Sequence, residues 1–411
     1  MAGTVPVEGT VAAGFEGVRE AFTRNFADYD EVGAACAVYV GGCKVVDLWG
    51  GVADAMTGKP YTEDTLQLVY STSKGLVAVV ANLLVQRGEL ELDAPVTRYW
   101  PEFGQAGKGD VTIRSLLCHK AGLPYVEADL TLGQALAWDP VVESLAAQEP
   151  LWELGTAHGY HHVTSGWLIG EVVRRVTGRT LGRFFAEEIA GPLGLDLWIG
   201  LPPEEQARVA PLTNRGLQDA PARPYEADDE EEDDTSLYIE RVEKLLGPNS
   251  LLIRTLGGVS GSFLGYSVFN QPKVRAAEVP ALNAVGDARS LARLYAAVVG
   301  PVDGSPPAPL LTPAQVDAAS TCQTSGEDRV LGFPSTFGLG FMVASRFARF
   351  GGAGAFGHFG GGGSVAFADP AAGIGFAYVM NRMLAGLSGD PRSRGLIRAV
   401  YQALDLTPPY L

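Results

Sequence analysis

The chain has 411 residues, 46% of them hydrophobic and 19% charged, with a formal net charge of −16. That size and composition exclude a disordered or fibrous protein and allow one large domain or two intimate ones. The acid excess excludes a nucleic-acid partner or an anionic membrane surface, since both need basic patches.

Met1 to Thr10 has no basic start and no apolar core before a cleavage site, and no later stretch is apolar enough to span a bilayer. The expectation is a cytoplasmic protein without a membrane segment. Residues 11–29 read as an amphipathic helix. Residues 34–40 and 43–49 alternate and carry β-branched side chains, so with Gly41-Gly42 between them they predict a hairpin. Its two-residue register would set Cys36 opposite Asp47. Cys36, Cys43, Cys118 and Cys322 lack metal-ligand spacing and are expected to be reduced and mostly buried.

Residues 75–86 are almost wholly apolar; a helix without a polar face belongs in the centre of a domain. Residues 110–124 and 164–175 suggest further helical units, the second closed by Gly178. Residues 215–280 read as a surface excursion, carrying seven consecutive acids from Asp228 to Asp234 that form a solvated, self-repelling loop. Residues 286–299 return to a helical pattern. Strands are predicted at 338–343, 364–368 and 374–380, and a closing helix at 392–404. The fold class is α/β: an antiparallel sheet built from both termini, flanked by helices, with an inserted, mainly helical domain. The expected division is 1–70 plus 330–411 for the sheet and 71–329 for the helices.

The one Ser-x-x-Lys in the chain is Ser71-Thr72-Ser73-Lys74, directly before the apolar helix. Three residues apart on a helix, Ser71 and Lys74 share a face and can touch. The first helical turn offers unpaired N–H groups and the positive end of the dipole. That setting lowers a lysine pKa and stabilises negative charge at a reacting carbonyl. Ser71 is the candidate nucleophile and Lys74 its base. Tyr160, in Gly159-Tyr160-His161-His162, is a packing residue if read alone. Beside a Ser–Lys pair it is a candidate proton relay, its phenol pKa depressed by the ammonium. His158, His161 and His162 have no further ligand at a usual spacing, so no metal is expected, and no cofactor either.

Gly357-His358-Phe359-Gly360-Gly361-Gly362-Gly363-Ser364 reads as a flexible loop, or as the opening of a strand whose N–H forms half an oxyanion hole. An α/β-hydrolase oxyanion loop is the rival reading. It fails, because the chain has no Gly-x-Ser-x-Gly elbow.

In this order the three elements resemble the class C β-lactamase/penicillin-binding-protein superfamily (β-lactamase/transpeptidase-like fold), and within it the family VIII carboxylesterases. The resemblance covers most of the chain, including Arg114 to Pro124, Asp47 to Gly51, Gly286 to Tyr295 and Phe367 to Pro370. It implies Ser71 as nucleophile, Lys74 as base, Tyr160 as a tyrosinate-like relay, and an oxyanion hole from the N–H groups of Ser71 and Gly361. His162, His358, Phe359 and Gly360 would bind substrate. Two departures stand out: the family's Tyr-x-Asn is Tyr160-His161-His162, and its Lys-Thr-Gly is His358-Phe359-Gly360. The lysine of that motif holds a substrate carboxylate, and neutral histidine supplies far less charge. The implied partner is a small ester or activated acyl compound, with water, an amine or an alcohol as acceptor. Hydrolysis of small esters leads; a transacylase, a β-lactamase or D-peptidase, and a non-catalytic binding protein are the alternatives.

Overall fold

The computed structural model describes residues 5–214, 250–303, 308–384 and 389–410. The acid run from Asp228 to Asp234 lies outside them. The N-terminal part supplies strands β1 (Val7–Val11), β2 (Gly33–Val40), β3 (Cys43–Asp54) and the short β4 (Lys59–Pro60). Three two-residue strands, β5 (Gln67–Leu68), β6 (Leu197–Trp198) and β7 (Val285–Gly286), form a small separate sheet. The C-terminal part adds β8 (Thr324–Glu327), β9 (Pro334–Phe337), β10 (Met342–Val343), β11 (Phe356–Phe359), β12 (Val365–Asp369) and β13 (Ile374–Met380). The main sheet is antiparallel and runs β1-β3-β2-β13-β12-β11-β10-β9-β8, with β4 paired to β3. Both ends of the chain therefore meet at its centre, where β2 lies beside β13.

Alternation along these strands divides the core in two. Ala35, Ala37, Ala366, Ala368, Ala377 and Val379 belong to one cluster, with the helix Ala288–Val299 and the helical part of the chain. Small side chains there let that helix lie close to the sheet. Cys36, Val38, Leu48, Phe367, Phe376 and Tyr378 join the other cluster, with the helices Glu16–Asp28 and Pro391–Ala403. Each large side chain buried there, such as Phe22, contributes about 1.5–3 kcal/mol of transfer free energy. The helix Ser73–Gln86 is buried from Ser73 through Leu84, as an all-apolar helix should be. Gly75 allows its closest approach: a Cβ there would fall 2.0 Å from the Tyr295 hydroxyl.

Several expectations need correction. The first helix begins at Glu16, because Val7–Val11 is an edge strand paired with β3. The hairpin forms, but a bulge between Val38 and Tyr39 shifts the register by one, so Cys36 faces Leu48 and Ala37 faces Asp47. Two of the four free cysteines, Cys43 and Cys322, are exposed. Residues 250–280 are not a surface excursion: Val259, Phe263, Tyr266, Phe269 and Val274 are core residues there. Two features cross the boundary expected at residue 330: β8 already belongs to the main sheet, and the helix Ala288–Val299 packs on its face. Among the described residues, no helix is long and apolar enough to cross a membrane.

Candidate active site

Ser71 sits in a 3-10 turn, Tyr70–Thr72, that runs directly into the helix Ser73–Gln86. Tyr70 adopts a φ of +46°, a left-handed conformation that costs energy for a bulky residue and is kept only where surroundings enforce it. Ser73 supplies part of that enforcement: its hydroxyl donates to the Tyr70 carbonyl and accepts from the Ala284 N–H at 2.9 Å. Lys74, also buried, brings Nζ to 2.9 Å from Ser71 Oγ and 3.0 Å from the Ala281 carbonyl. No carboxylate pairs with it among the described residues, and burial drives its pKa well below the usual lysine range. A neutral amine at that distance can take the serine proton.

Tyr160 closes the second side. Its phenol hydrogen-bonds Ser71, and Lys74 Nζ lies 4.9 Å from its ring centroid. Both carboxylate oxygens of Asp328 accept from the Tyr160 backbone N–H, at 3.0 and 3.1 Å. Asp328 also accepts from the N–H groups of Val330 and Leu331 and from the Ser335 hydroxyl, so it is a fully bonded buried anchor. The expected depression of the phenol pKa does not occur. Burial pushes it up, and the nearby lysine, itself neutral, offers no ammonium to oppose that. Tyr160 is a protonated phenol, able to pass a proton without resting as a tyrosinate.

The third side is β11 and the glycine turn leading to β12. A Cβ on Gly360 would fall 2.1 Å from Ser364 Oγ and 2.3 Å from the Val69 carbonyl, so only glycine fits. Ser364 clips this turn to the Tyr70–Thr72 turn that carries Ser71, donating to the Val69 carbonyl at 2.8 Å and lying 3.2 Å from Thr72 Oγ1. Gly361 lies against the ring of Tyr70, next to Ser71. From behind, the buried Arg392 donates to the Gly362 carbonyl at 2.6 Å and is itself held by Glu31 and Asp390.

His358 is buried, and desolvation brings its pKa down to about 3. Its Nδ1–H donates to the Phe359 carbonyl at 2.7 Å, which leaves Nε2 as a bare lone pair without a partner among the described residues. The His358 ring lies 5.9 Å from that of Tyr160, and His162 is 5.8 Å from Tyr160 on its own account, with an equally unpartnered Nδ1. Phe359 is not brought to the site. Strand alternation turns its side chain to the other cluster, where it stacks on Phe350 at 4.7 Å.

Ser71, Lys74, Tyr160, His162, His358, Gly360 and Gly361 are thus gathered in one place. Thr72, Ser73, Ala281, Asp328, Ser364 and Arg392 support them and were not anticipated. Among the described residues no three His, Cys, Asp or Glu side chains form a metal-ligand set.

This three-sided arrangement has counterparts. The family described as Beta-lactamase matches residues 18–399. The chain belongs to the β-lactamase family. It is a serine hydrolase with the β-lactamase-like α/β fold. Within that family it is 34% identical over 391 residues to the esterase/β-lactamase LipL of Mycobacterium tuberculosis, covering 91% of this chain and 82% of the relative. A family VIII carboxylesterase crystal structure shares 36% identity at a TM-score of 0.83, covering 97% of this chain and 100% of that one. A penicillin-binding-protein homologue from Caulobacter crescentus shares 39% identity at a TM-score of 0.79, with the same coverage.

Proposed function

We propose that this β-lactamase-family protein hydrolyses small carboxylic esters through an acyl-enzyme on Ser71. Ser71 Oγ attacks the ester carbonyl while its proton moves to Lys74 Nζ. The N–H groups of Ser71 and Gly361 hold the oxyanion. As the C–O bond breaks, the leaving alkoxide takes a proton passed from Lys74 through Tyr160. Water then attacks the acyl-enzyme, loses its proton by the same route, and releases the acid with Ser71 restored.

The observation that carries the choice of ester is the neutral, buried imidazole of His358, on the strand position where a lysine would hold a substrate carboxylate. A bare lone pair repels a carboxylate, so carboxylated β-lactams and D-peptides bind poorly, while neutral esters lose nothing. The printed description of the family VIII carboxylesterase supports ester hydrolysis, while the LipL name carries both esterase and β-lactamase.

The test uses a short-chain nitrophenyl ester and a chromogenic cephalosporin, each with and without Ser71→Ala. Prompt ester turnover that vanishes in Ser71→Ala is expected; failure of any ester to acylate Ser71, by mass spectrometry, overturns the reading. Adding amines or alcohols during turnover measures how the acyl group partitions. Predominant transfer to them would make the protein a transacylase.

A further inference from the structure

A cavity of about 20 Å³ lies against Lys74, lined also by Ser165, His119, Val77, Leu117 and Ile169. One water needs roughly 10–15 Å³ of such space and two to four polar partners. Three polar groups here have unmet capacity. Ser165 Oγ is buried without a hydrogen-bond partner among the described residues. His119 accepts the His161 N–H on Nδ1 at 3.1 Å, so its neutral ring carries a proton on Nε2 that is free to donate.

Lys74 is the third. As an amine its lone pair faces the Ser71 hydroxyl; as an ammonium it donates there instead. In either state one N–H goes to Ala281 and one more remains to be satisfied. The other titratable groups around it, Tyr160, His162 and His358, are all uncharged.

We propose that this cavity is a binding site for a single water molecule, which accepts from Lys74 and His119 and donates to Ser165. Its role deepens the reading of Lys74 as the base. When the Ser71 proton arrives, the ammonium forms where no carboxylate pairs with it among the described residues, and the water oxygen already accepts its remaining N–H. The water therefore favours the charged form of Lys74, the form present in the transition state.

Two measurements test this. In a crystal structure of the whole protein, density for a water within about 3.2 Å of Lys74 Nζ and Ser165 Oγ is expected; a cavity without density overturns the proposal. Ser165→Val replaces the hydroxyl with a methyl group and adds a second, filling the space. With the water gone the ammonium is less favoured, so the acidic limb of ester kcat/KM should move about one pH unit lower while kcat falls about tenfold. A folded Ser165→Val enzyme whose acidic limb does not move also overturns it. Should that variant not fold, the crystal density decides. Acylation of wild-type Ser71 by an ester reports separately on the ester reading.

Discussion

Asp328 holds the backbone N–H of Tyr160 with both carboxylate oxygens, across 168 residues of sequence. Tyr160, the relay in the proposed mechanism, is thus fixed by a residue that does not itself contact Ser71 or Lys74. Asp328→Ala should let Tyr160 shift, and a displacement of about 1 Å costs on the order of 10²-fold in rate. We expect kcat to fall by that factor with KM little changed, and Asp328→Asn, which keeps one acceptor oxygen, to recover part of it. Steady-state kinetics on a nitrophenyl ester decide; equal loss in both variants would show that the geometry of acceptance does not matter.

Lys74 is expensive to the fold, and the proposed mechanism makes it the base. Its pKa is lowered in the folded state, so the unfolded chain binds its proton more readily at neutral pH and is favoured by it. Lys74→Met should therefore leave the melting temperature unchanged or raise it, while lowering ester turnover by roughly 10²–10⁴-fold. Calorimetry and kinetics on the same preparation check both halves.

Acid should destabilise the protein earlier than its carboxylates require. His161 and His358 are buried and neutral, with pKa values pushed down by burial to about 4 and about 3. The unfolded chain protonates histidine near pH 6.5, so their contribution is complete above that pH. It is lost as pH falls from 6.5 towards 4 and 3, by at most about 1.4 kcal/mol per pH unit for each group. Urea unfolding at pH 7.5, 6 and 5 should show this slope, and His358→Gln should reduce it. An identical slope in that variant would rule His358 out as a contributor.

Removing the Ser364 hydroxyl should loosen the glycine turn against the nucleophile. Ser364→Ala breaks the bond to the Val69 carbonyl, which keeps only its 3.2 Å bond from the Thr72 N–H, a cost of about 0.5–1.5 kcal/mol. We expect a lower unfolding midpoint and a tenfold or greater fall in the acylation rate, measured by stopped flow.

Much of the site was legible because its key pair is local. Ser71 and Lys74 are three residues apart, and helical geometry alone brings them within reach. The apolar run after them announced its burial. Tyr160 and Gly361 needed the resemblance, since no spacing rule links residues so far apart. Asp328 and Ala281 carried no signal: their partners, Tyr160 and Lys74, lie 168 and 207 residues away, and a lone Asp or an alanine carbonyl looks like any other. The phenol pKa was misjudged for the same reason, because burial is a property of the folded whole. Phe359 was misplaced because 357–364 was read as a glycine loop or the opening of the strand that follows it; within strand β11, Phe356–Phe359, it alternates, and the ring turns away from His358. The bulge at Val38 escaped because one extra residue leaves the alternation of a short strand almost intact.

The pairing of β2 with β13 also sets a timetable for biosynthesis. At about 5–20 residues per second, a ribosome needs on the order of 20–70 s to travel from the end of β2 to the start of β13. Throughout that interval the β2–β3 hairpin has an unpaired edge, and the alanine-rich face of β2 awaits its cover. A chain stalled or cleaved before residue 374 keeps Ser71 and Lys74 but cannot complete the sheet beneath them. Such a fragment should depend on chaperones and be prone to aggregate, which makes the last strand the commitment point for a usable enzyme.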